Sequence, residues 1–439
     1  MVWAKTSDDG GVLRATLRRH GEMRPGQTAG RFWPVACVAL EVTQRCNLDC
    51  TLCYLSEHAE AAHDVPLRIL LERVDAVAAH YGVHTTIQIT GGDPTLRPVE
   101  DLACLCRHIR ARGLRSCLMT NGIRARREML ARLADAGLDD VAFHVDLTQE
   151  RANFPSEAAL NAVRSDYLDR AEGLGLRVLF NTTVFDGNLR ELPAVARFFR
   201  AEAGRIALVS FQLQTATGRG VLGGGGVTKA AVADALEEGF GTPLSFGVAE
   251  VGHRDCTRYA ALLVAGESAV SALTNRGLFG HVLAAMERHA RHSGAYVSVL
   301  PTLRAALVRH PALALRVLGE VSRKLWRLRR GLWHSRGRMS RMTVLLHDFM
   351  AEDALEAARC ESCVFMVATP SGPVSMCEVN AARDHHVFAP TALDTTSGRR
   401  WWSAATGAFS TSPTHLSPSA VPQKRLKGRA RAAKSGKKL

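Results

Sequence analysis

Between residues 35 and 240, six short apolar runs rich in β-branched and aromatic residues alternate with amphipathic stretches. The runs are VACVALEV (35–42), TTIQIT (85–90), SCLMT (116–120), VAFHVDL (141–147), LRVLFNTTVF (176–185) and IALVSFQLQ (206–214). The stretches between them, such as PLRILLERVDAVAAHY (66–81) and REMLARLADAG (127–137), place apolar residues at helical spacing, and several end on glycine. Six strand–helix units in succession require a parallel sheet covered by helices. Nearly continuous apolar strands are those buried on both faces. The expected fold class is therefore α/β, a partial (β/α)6 barrel of parallel strands with a C-terminal cysteine-bearing extension. In such sheets chemistry gathers at the C-terminal ends of the strands. Five polar or glycine-rich groups fall there: the cysteines at 46, 50 and 53, GGD (91–93), TNG (120–122), HVD (144–146) and NTT (181–183).

The same pattern sets the expected boundaries. Residues 1–34 read as an N-terminal extension and 35–240 as the barrel. Residues 241–388 read as a C-terminal region with a basic helical stretch over 302–342, and 389–439 as a disordered basic tail. From Pro390 onward ten Lys/Arg accompany a single Asp in a segment rich in Ser, Pro, Gly and Ala, a composition poor in apolar surface to bury. Residues 303–342 hold eleven Lys/Arg against Glu320 alone. The formal charge of +14 on 439 residues is thus concentrated in two blocks, which argues against nucleic-acid binding over the whole surface. WRLRRGLWHSRGRMSRM (326–342) sets Trp326 and Trp333 among arginines. That suits the surface of an anionic membrane or, equally, a solvated helix whose arginine stems cover apolar neighbours. The N-terminal residues lack the apolar core of a signal peptide and no apolar run reaches the length of a membrane span. The expected location is cytoplasmic, with the inner membrane surface as a site of peripheral contact. Eleven cysteines in that reducing compartment point to metal ligation before disulfides.

EVTQRCNLDCTLCYLSE (41–57) places Cys46, Cys50 and Cys53 just after the first strand, with Tyr54 following. A four-iron cube held by three thiolates keeps one iron free of a protein ligand, as a substrate-engaging metal centre requires. A zinc knuckle completed by His58 or His63, or a set of buried structural thiols, are the alternatives. ITGGDPTLRP (89–98) follows at the end of the second strand, where side-chain-free Gly91 and Gly92 allow close backbone approach. This C-x3-C-x2-C spacing with its aromatic residue, together with the GGD segment, resembles the radical S-adenosylmethionine (SAM) superfamily. The resemblance implies a [4Fe–4S] cluster on Cys46, Cys50 and Cys53 that chelates SAM at its open iron. One electron passed into the sulfonium then yields a 5′-deoxyadenosyl radical that abstracts hydrogen from substrate. It also implies oxygen sensitivity, an electron donor such as flavodoxin or ferredoxin, and methionine orientation by Gly91, Gly92 and Asp93. Tyr54, Asn121, Asp146 and Asn181 are further candidate cofactor contacts, with His144 and Gln212 as pocket candidates; each also reads as a turn former or a satisfied polar residue. No catalytic residue beyond these is identified.

A second set of thiols lies in RCESCVFMVATPSGPVSMCEVN (359–380), with Cys360, Cys363 and Cys377, and in GHRDCTRYAALLV (252–264), with Cys256. Four thiolates close an auxiliary [4Fe–4S] cluster or a tetrahedral zinc site. Cys37, Cys104, Cys106 and Cys117 lie inside expected strands or helices and read as core. With SFQLQTATGRG (210–220), these C-terminal segments resemble the branch that contains archaeal tetraether-lipid synthases. That resemblance implies hydrogen abstraction from an unactivated C–H bond of a lipid-like substrate. A lipid cross-linker of that branch is expected to carry additional N-terminal cysteines, and here none precedes Cys37. A peptide-modifying radical maturase is one alternative. A nonenzymatic zinc- or cluster-bearing RNA-binding protein is the other.

Overall fold

A computed structural model describes residues 9–220, 226–290, 292–293, 296–297, 299–396 and 398–414. After the short strand β1 (Gln27–Ala29), the six expected runs become β2 (Cys37–Thr43), β3 (Thr86–Gly91), β4 (Arg115–Thr120), β5 (Asp140–His144), β6 (Arg177–Val184) and β7 (Ile206–Leu213). They lie side by side, all parallel, in sequence order. Strands β8 (Ala249–Val251), β9 (Thr257–Ala265) and β10 (Ser268–Ser271) come next. A two-residue pair, β11 (His292–Ser293) and β12 (Tyr296–Val297), stands apart. The chain then returns to the main sheet with β13 (Ser340–His347), β14 (Phe365–Thr369) and β15 (Gly372–Ser375). The curled sheet runs β1-β8-β9-β13-β7-β6-β5-β4-β3-β2-β14-β15, with β10 on β9.

Eight consecutive strands are therefore parallel, two more than the six-unit expectation. β13 adds to β7 in parallel register (Thr343 opposite Leu208) and β14 adds to β2 (Phe365 opposite Cys37). The extension thus supplies a parallel strand to each edge of the expected barrel, where unpaired backbone groups would otherwise lie open. The boundary expected at 240/241 does not divide the core: Ala260, Leu262, Met342, Val344 and Leu346 belong to the same buried cluster as Leu40, Ile89 and Phe143. The N-terminal extension is likewise part of the sheet, through β1 on β8.

The cluster forms because alternate strand residues face the helices. Phe143, Phe180 and Phe211 project from β5, β6 and β7, and Phe199 meets them from helix Leu192–Ala201, with successive ring centroids 5.5–6.2 Å apart. Each buried phenylalanine contributes roughly 1.5–3 kcal/mol from area alone. The opposite strand faces line the inside of the curl.

Two expectations need correction. The helical stretch over 302–342 is two helices, Val299–Arg309 and Pro311–His334, and its last residues open β13. Pro311 forces the break, because it lacks the N–H an uninterrupted helix needs and sits at the first turn of the second helix. The tail expected to be disordered from 389 forms an antiparallel meander of β16 (Thr391–Thr395), β17 (Gly398–Ser403) and β18 (Ala408–Ser410). Charge had outweighed pattern in that expectation. Only two of the ten basic residues fall in the meander, and its Leu393 and Trp402 bury against Ala62, Ile69 and Phe388. Residues 415–439 lie outside the described part. No helix among the described residues is long and apolar enough to cross a membrane.

Candidate active site and metal centres

The chain leaves β2 at Thr43 and passes through Cys46, Cys50 and Cys53, all free thiols. Three neighbours fix the path of this loop. From the end of β3, Gly92 N–H donates to Thr43 O (2.9 Å) and Asp93 N–H to Arg45 O (2.8 Å). Gly91 has φ +123°, and a Cβ there would sit 1.9 Å from Thr43 O; a Cβ on Gly92 would sit 2.0 Å from Arg45 O. From the segment after β5, Thr148 O accepts from Thr51 N–H at 2.8 Å. From the segment after β7, Arg219 N–H donates to Leu55 O (2.7 Å), and a Cβ on Gly218 would meet the Tyr54 carbonyl at 2.4 Å. The Tyr54 hydroxyl closes the circuit by donating to Gly91 O at 2.5 Å. Gly92→Ala is therefore expected to push the cysteine loop out of place. Iron retained by anaerobically reconstituted protein should fall by about half, with less than about 1–3 kcal/mol lost from the fold as for other local overpacking; iron content equal to that of the parent chain would contradict the packing argument.

Burial and a single cation set the electrostatics of the loop. Burial raises the Cys46 thiol to about 11, and burial with the neighbouring Cys53, Asp146 and Cys46 raises Cys50 well above the ordinary range. Arg219 opposes this, lowering both. Its guanidinium is 1% exposed; against the burial that opposes its charge, the Cys53 thiol and the Glu60 carboxylate, 3.6 Å away, hold it protonated. A buried cation facing three thiols fits a site whose loaded form carries thiolates and net negative charge. Among the described residues no three His, Cys, Asp or Glu side chains converge on a single-ion site. A four-iron cluster takes one thiolate to each of three irons, and three thiols on one loop, close enough to perturb one another, are the donors it needs. His58, the alternative fourth zinc ligand, instead pairs with Asp384 at 2.6 Å.

The other strand-end residues surround this loop. Asn121 is placed beside Cys46, its Nδ2 4.0 Å from the sulfur and donating to Asn47 Oδ1 at 2.7 Å. Asp93 is fully buried, and its carboxylate accepts from Thr95 N–H, Thr95 Oγ1, Thr120 Oγ1 and Asn121 N–H. That carboxylate thus ties the end of β3 to the end of β4. Asp146, also fully buried, accepts from Thr148 N–H (3.0 Å) and Thr183 N–H (2.7 Å) and meets His144 Nε2 at 2.6 Å. Although burial opposes it, the His144 partner and these hydrogen bonds hold Asp146 down at about 2, and Asp146 raises His144 in turn. Asn181 is buried opposite His144 in the β5–β6 register, and Gln212 is opposite Thr183.

The second thiol set also comes together. Burial raises all four thiols, and Cys377 stands within electrostatic reach of Cys256, Cys360 and Cys363. Arg359 Nε donates to the Cys256 sulfur at 3.3 Å, and Met350 N–H to the Cys377 sulfur at 3.5 Å. Each thiol set thus has its own buried arginine. His347, kept neutral by burial at about 4, packs beside this set against Phe365 and Thr257. Arg383, six residues after Cys377 in sequence, reaches the first set. Its guanidinium lies 4.4 Å over the Tyr54 ring and bonds Glu41 at 2.5 Å. Sequence reasoning missed Arg219, Arg359 and Arg383. Only Arg219, set between two glycines in TGRG, carried a local signal.

Residues 40–199 match the Radical SAM superfamily model. The chain is 29% identical over 187 residues to the Fe-coproporphyrin III synthase of Methanosarcina barkeri, covering 42% of this chain and 45% of that protein. It is 30% identical over 168 residues to the PqqA peptide cyclase of Methylobacterium nodulans, covering 37% and 42%. The chain spans less than half the length of these relatives. Among solved structures, Streptococcus suis SuiB bound to precursor peptide SuiA aligns with a TM-score of 0.33 and 14% identity, covering 46% of this chain and 42% of that one. That family uses a [4Fe–4S] cluster and SAM. The match begins within the first parallel strand of the barrel and takes in the three-cysteine loop at its end, so residues 40–199 are similar to the Radical SAM superfamily domain.

Proposed function

We propose that this chain is a radical SAM enzyme that abstracts hydrogen from an unactivated C–H bond. The observation that carries the reading is the loop of three free, semi-buried thiols, pinned at the C-terminal ends of parallel strands and faced by the buried Arg219. Cys46, Cys50 and Cys53 would hold the cluster. When bound, the cluster and SAM supply a 5′-deoxyadenosyl radical. The chain's own residues place and shield them. Gly91 and Gly92 let the β3 end approach the loop, and Asp93 holds that turn rigid by accepting four donors. Asn121, Asp146, Asn181 and Tyr54 would line the SAM pocket, with Asp146 kept ionised by its bonds to His144, Thr148 and Thr183. Cys256, Cys360, Cys363 and Cys377 would hold an auxiliary [4Fe–4S] cluster, with Arg359 offsetting its charge. A flavodoxin or ferredoxin would deliver the electron.

The substrate we propose is lipid-like, on the resemblance of the C-terminal segments to the tetraether-lipid synthase branch. A peptide substrate is the second reading, favoured by the 30% identity to a protein named as a peptide cyclase. Anaerobic reconstitution tests the class: about eight irons per chain, four for each cubane, and release of 5′-deoxyadenosine under reductant are expected. Zinc at both sites with no cleavage of SAM would overturn the reading. Deuterium entering 5′-deoxyadenosine from a deuterated lipid extract supports the lipid substrate; deuterium entering only from deuterated peptides supports the second reading.

A further inference from the structure

The long helix Pro311–His334 has three faces. One, with Lys324, Leu328 and Gly331, is buried on the sheet and its neighbours. A second carries Arg316, Arg323, Arg327 and Arg330 along one side. The third is apolar and open: Leu315 is 71% exposed, Leu318 64%, Trp326 68% and Trp333 84%. Arg329 lies within this stripe, its guanidinium 4.3 Å over the Trp326 ring. Leu300 and Val308, on the preceding helix Val299–Arg309, are also open. Single exposed leucines are ordinary, but a mostly apolar stripe of leucine and tryptophan beside a row of arginines marks an interaction surface.

The stripe borders a cavity of about 870 Å³. Leu300, Val321, Leu325 and Met339 both line the cavity and are exposed, so they form its mouth. Its interior is mostly apolar, with Phe32, Leu283 and Met286 on the helix side and Ala261 and Leu263 of β9 on the sheet side. Lys324, Glu320 and Thr274 stand together near the mouth, with both the Lys324–Glu320 and Lys324–Thr274 contacts at 2.6–2.7 Å. The cavity reaches Val35, Thr86 and Arg115, at the N-terminal ends of β2, β3 and β4. It therefore lies at the opposite end of the strands from the thiol loop and is separate from the cofactor site.

We propose that the open face of these two helices rests on an anionic membrane surface, and that the cavity receives one hydrocarbon chain of a lipid from that surface. Charge complementarity selects this occupant. Eleven Lys/Arg against one Glu over residues 303–342 favour an anionic leaflet, and aromatic and leucine side chains beside them seat at the boundary between headgroups and chains. The mouth opens on that same apolar stripe, so a chain entering from the bilayer need not cross water. The inference concerns a site apart from the one in the functional reading and does not rest on radical chemistry, and its test uses no iron, reductant or SAM.

The full chain is mixed with phosphatidylglycerol–phosphatidylcholine vesicles or with phosphatidylcholine vesicles and sedimented. Binding to the anionic vesicles, quenching of tryptophan emission by brominated lipid chains, and a loss of partition of about tenfold or more in L315D/L318D are expected. Both leucines are exposed, so the variant should fold, and its circular dichroism spectrum checks that. Equal binding by parent and variant, or no binding to either vesicle, would overturn the proposal. So would binding lost only when the Lys/Arg of 424–438 are replaced by serine, which assigns attraction to the tail. A dimer in sedimentation velocity that L315D/L318D dissolves, without vesicle binding, would identify the face as a contact between copies and also overturn it. For the cavity, lipid extracted from vesicle-loaded, repurified chain should approach one molecule per chain and fall about tenfold in V321R/L325R. Unchanged retention would remove the cavity from the proposal.

Discussion

Anaerobically reconstituted Cys50→Ala protein is expected to hold about half the iron of the parent chain and to cleave SAM at least about 10³-fold more slowly, a barrier increase of roughly 4 kcal/mol. Cys50 is the middle thiol of the loop, with Cys46 and Cys53 both in electrostatic reach. Its removal leaves two thiols for a cube that needs three corners held. The fold itself should be little affected, because the loop is fixed by backbone bonds from Gly92, Asp93, Thr51 and Arg219 rather than by the Cys50 side chain. Cys360→Ala provides the contrast. It lies in the second set, so the same iron loss should appear with reductive cleavage of SAM largely retained. Iron analysis and 5′-deoxyadenosine yield on the two variants separate the sites. Equal loss of cleavage in both would show that the two thiol sets do not act independently, and unchanged iron in Cys50→Ala would remove the loop from metal binding altogether.

Arg164→Ala is expected to cost about 3–5 kcal/mol of stability, the usual result of breaking a fully buried ion pair from one side. Arg164 and Glu157 are both completely buried. The guanidinium donates to Glu157 Oε2 (2.5 Å), Glu157 O (2.9 Å), Val145 O (2.8 Å) and Asn161 Oδ1 (2.8 Å). Glu157 Oε1 accepts in turn from Leu147 N–H and Asn188 Nδ2. The pair thus anchors both sides of Asp146, so the variant should also weaken SAM binding. Glu157→Gln keeps an oxygen for Leu147 and should cost less. Urea unfolding of the three proteins checks the ranking; a loss under about 1 kcal/mol for Arg164→Ala would mean that water relieves the stranded carboxylate.

The six central strands were legible because each is a short apolar run bounded by turn residues, and their parallel order followed from the intervening helices. The position of the cysteine loop at the end of β2 was legible from its place after the first apolar run. β13 was hidden because SRMTVLLH begins inside a run of arginines that reads as helix, and its partner β7 lies more than 120 residues earlier. β14 was hidden inside the second cysteine motif. The tail meander was missed because net charge was averaged over a segment whose first third carries two tryptophans and little charge. At the site, spacing located Asp93 but not its use: the four donors that saturate it come from Thr95, Thr120 and Asn121, brought together by the β3–β4 register. Arg219 and Arg383 were not legible as site residues because their neighbours are remote in sequence. Arg219 reaches a loop some 165 residues earlier, and Arg383 stacks on Tyr54 from more than 300 residues away.

The placement of β13 and β14 on opposite flanks of the barrel has a consequence for how the molecule is made. A ribosome delivers β2 to β7 first, and for roughly the next 130 residues of synthesis that six-stranded core carries two unsealed borders, each able to template pairing with another nascent chain. Both borders close only when residues 340–369 emerge, and the same residues bring Cys360 and Cys363 into place. Maturation of the sheet and assembly of the second thiol set therefore become a single late event in the life of the polypeptide.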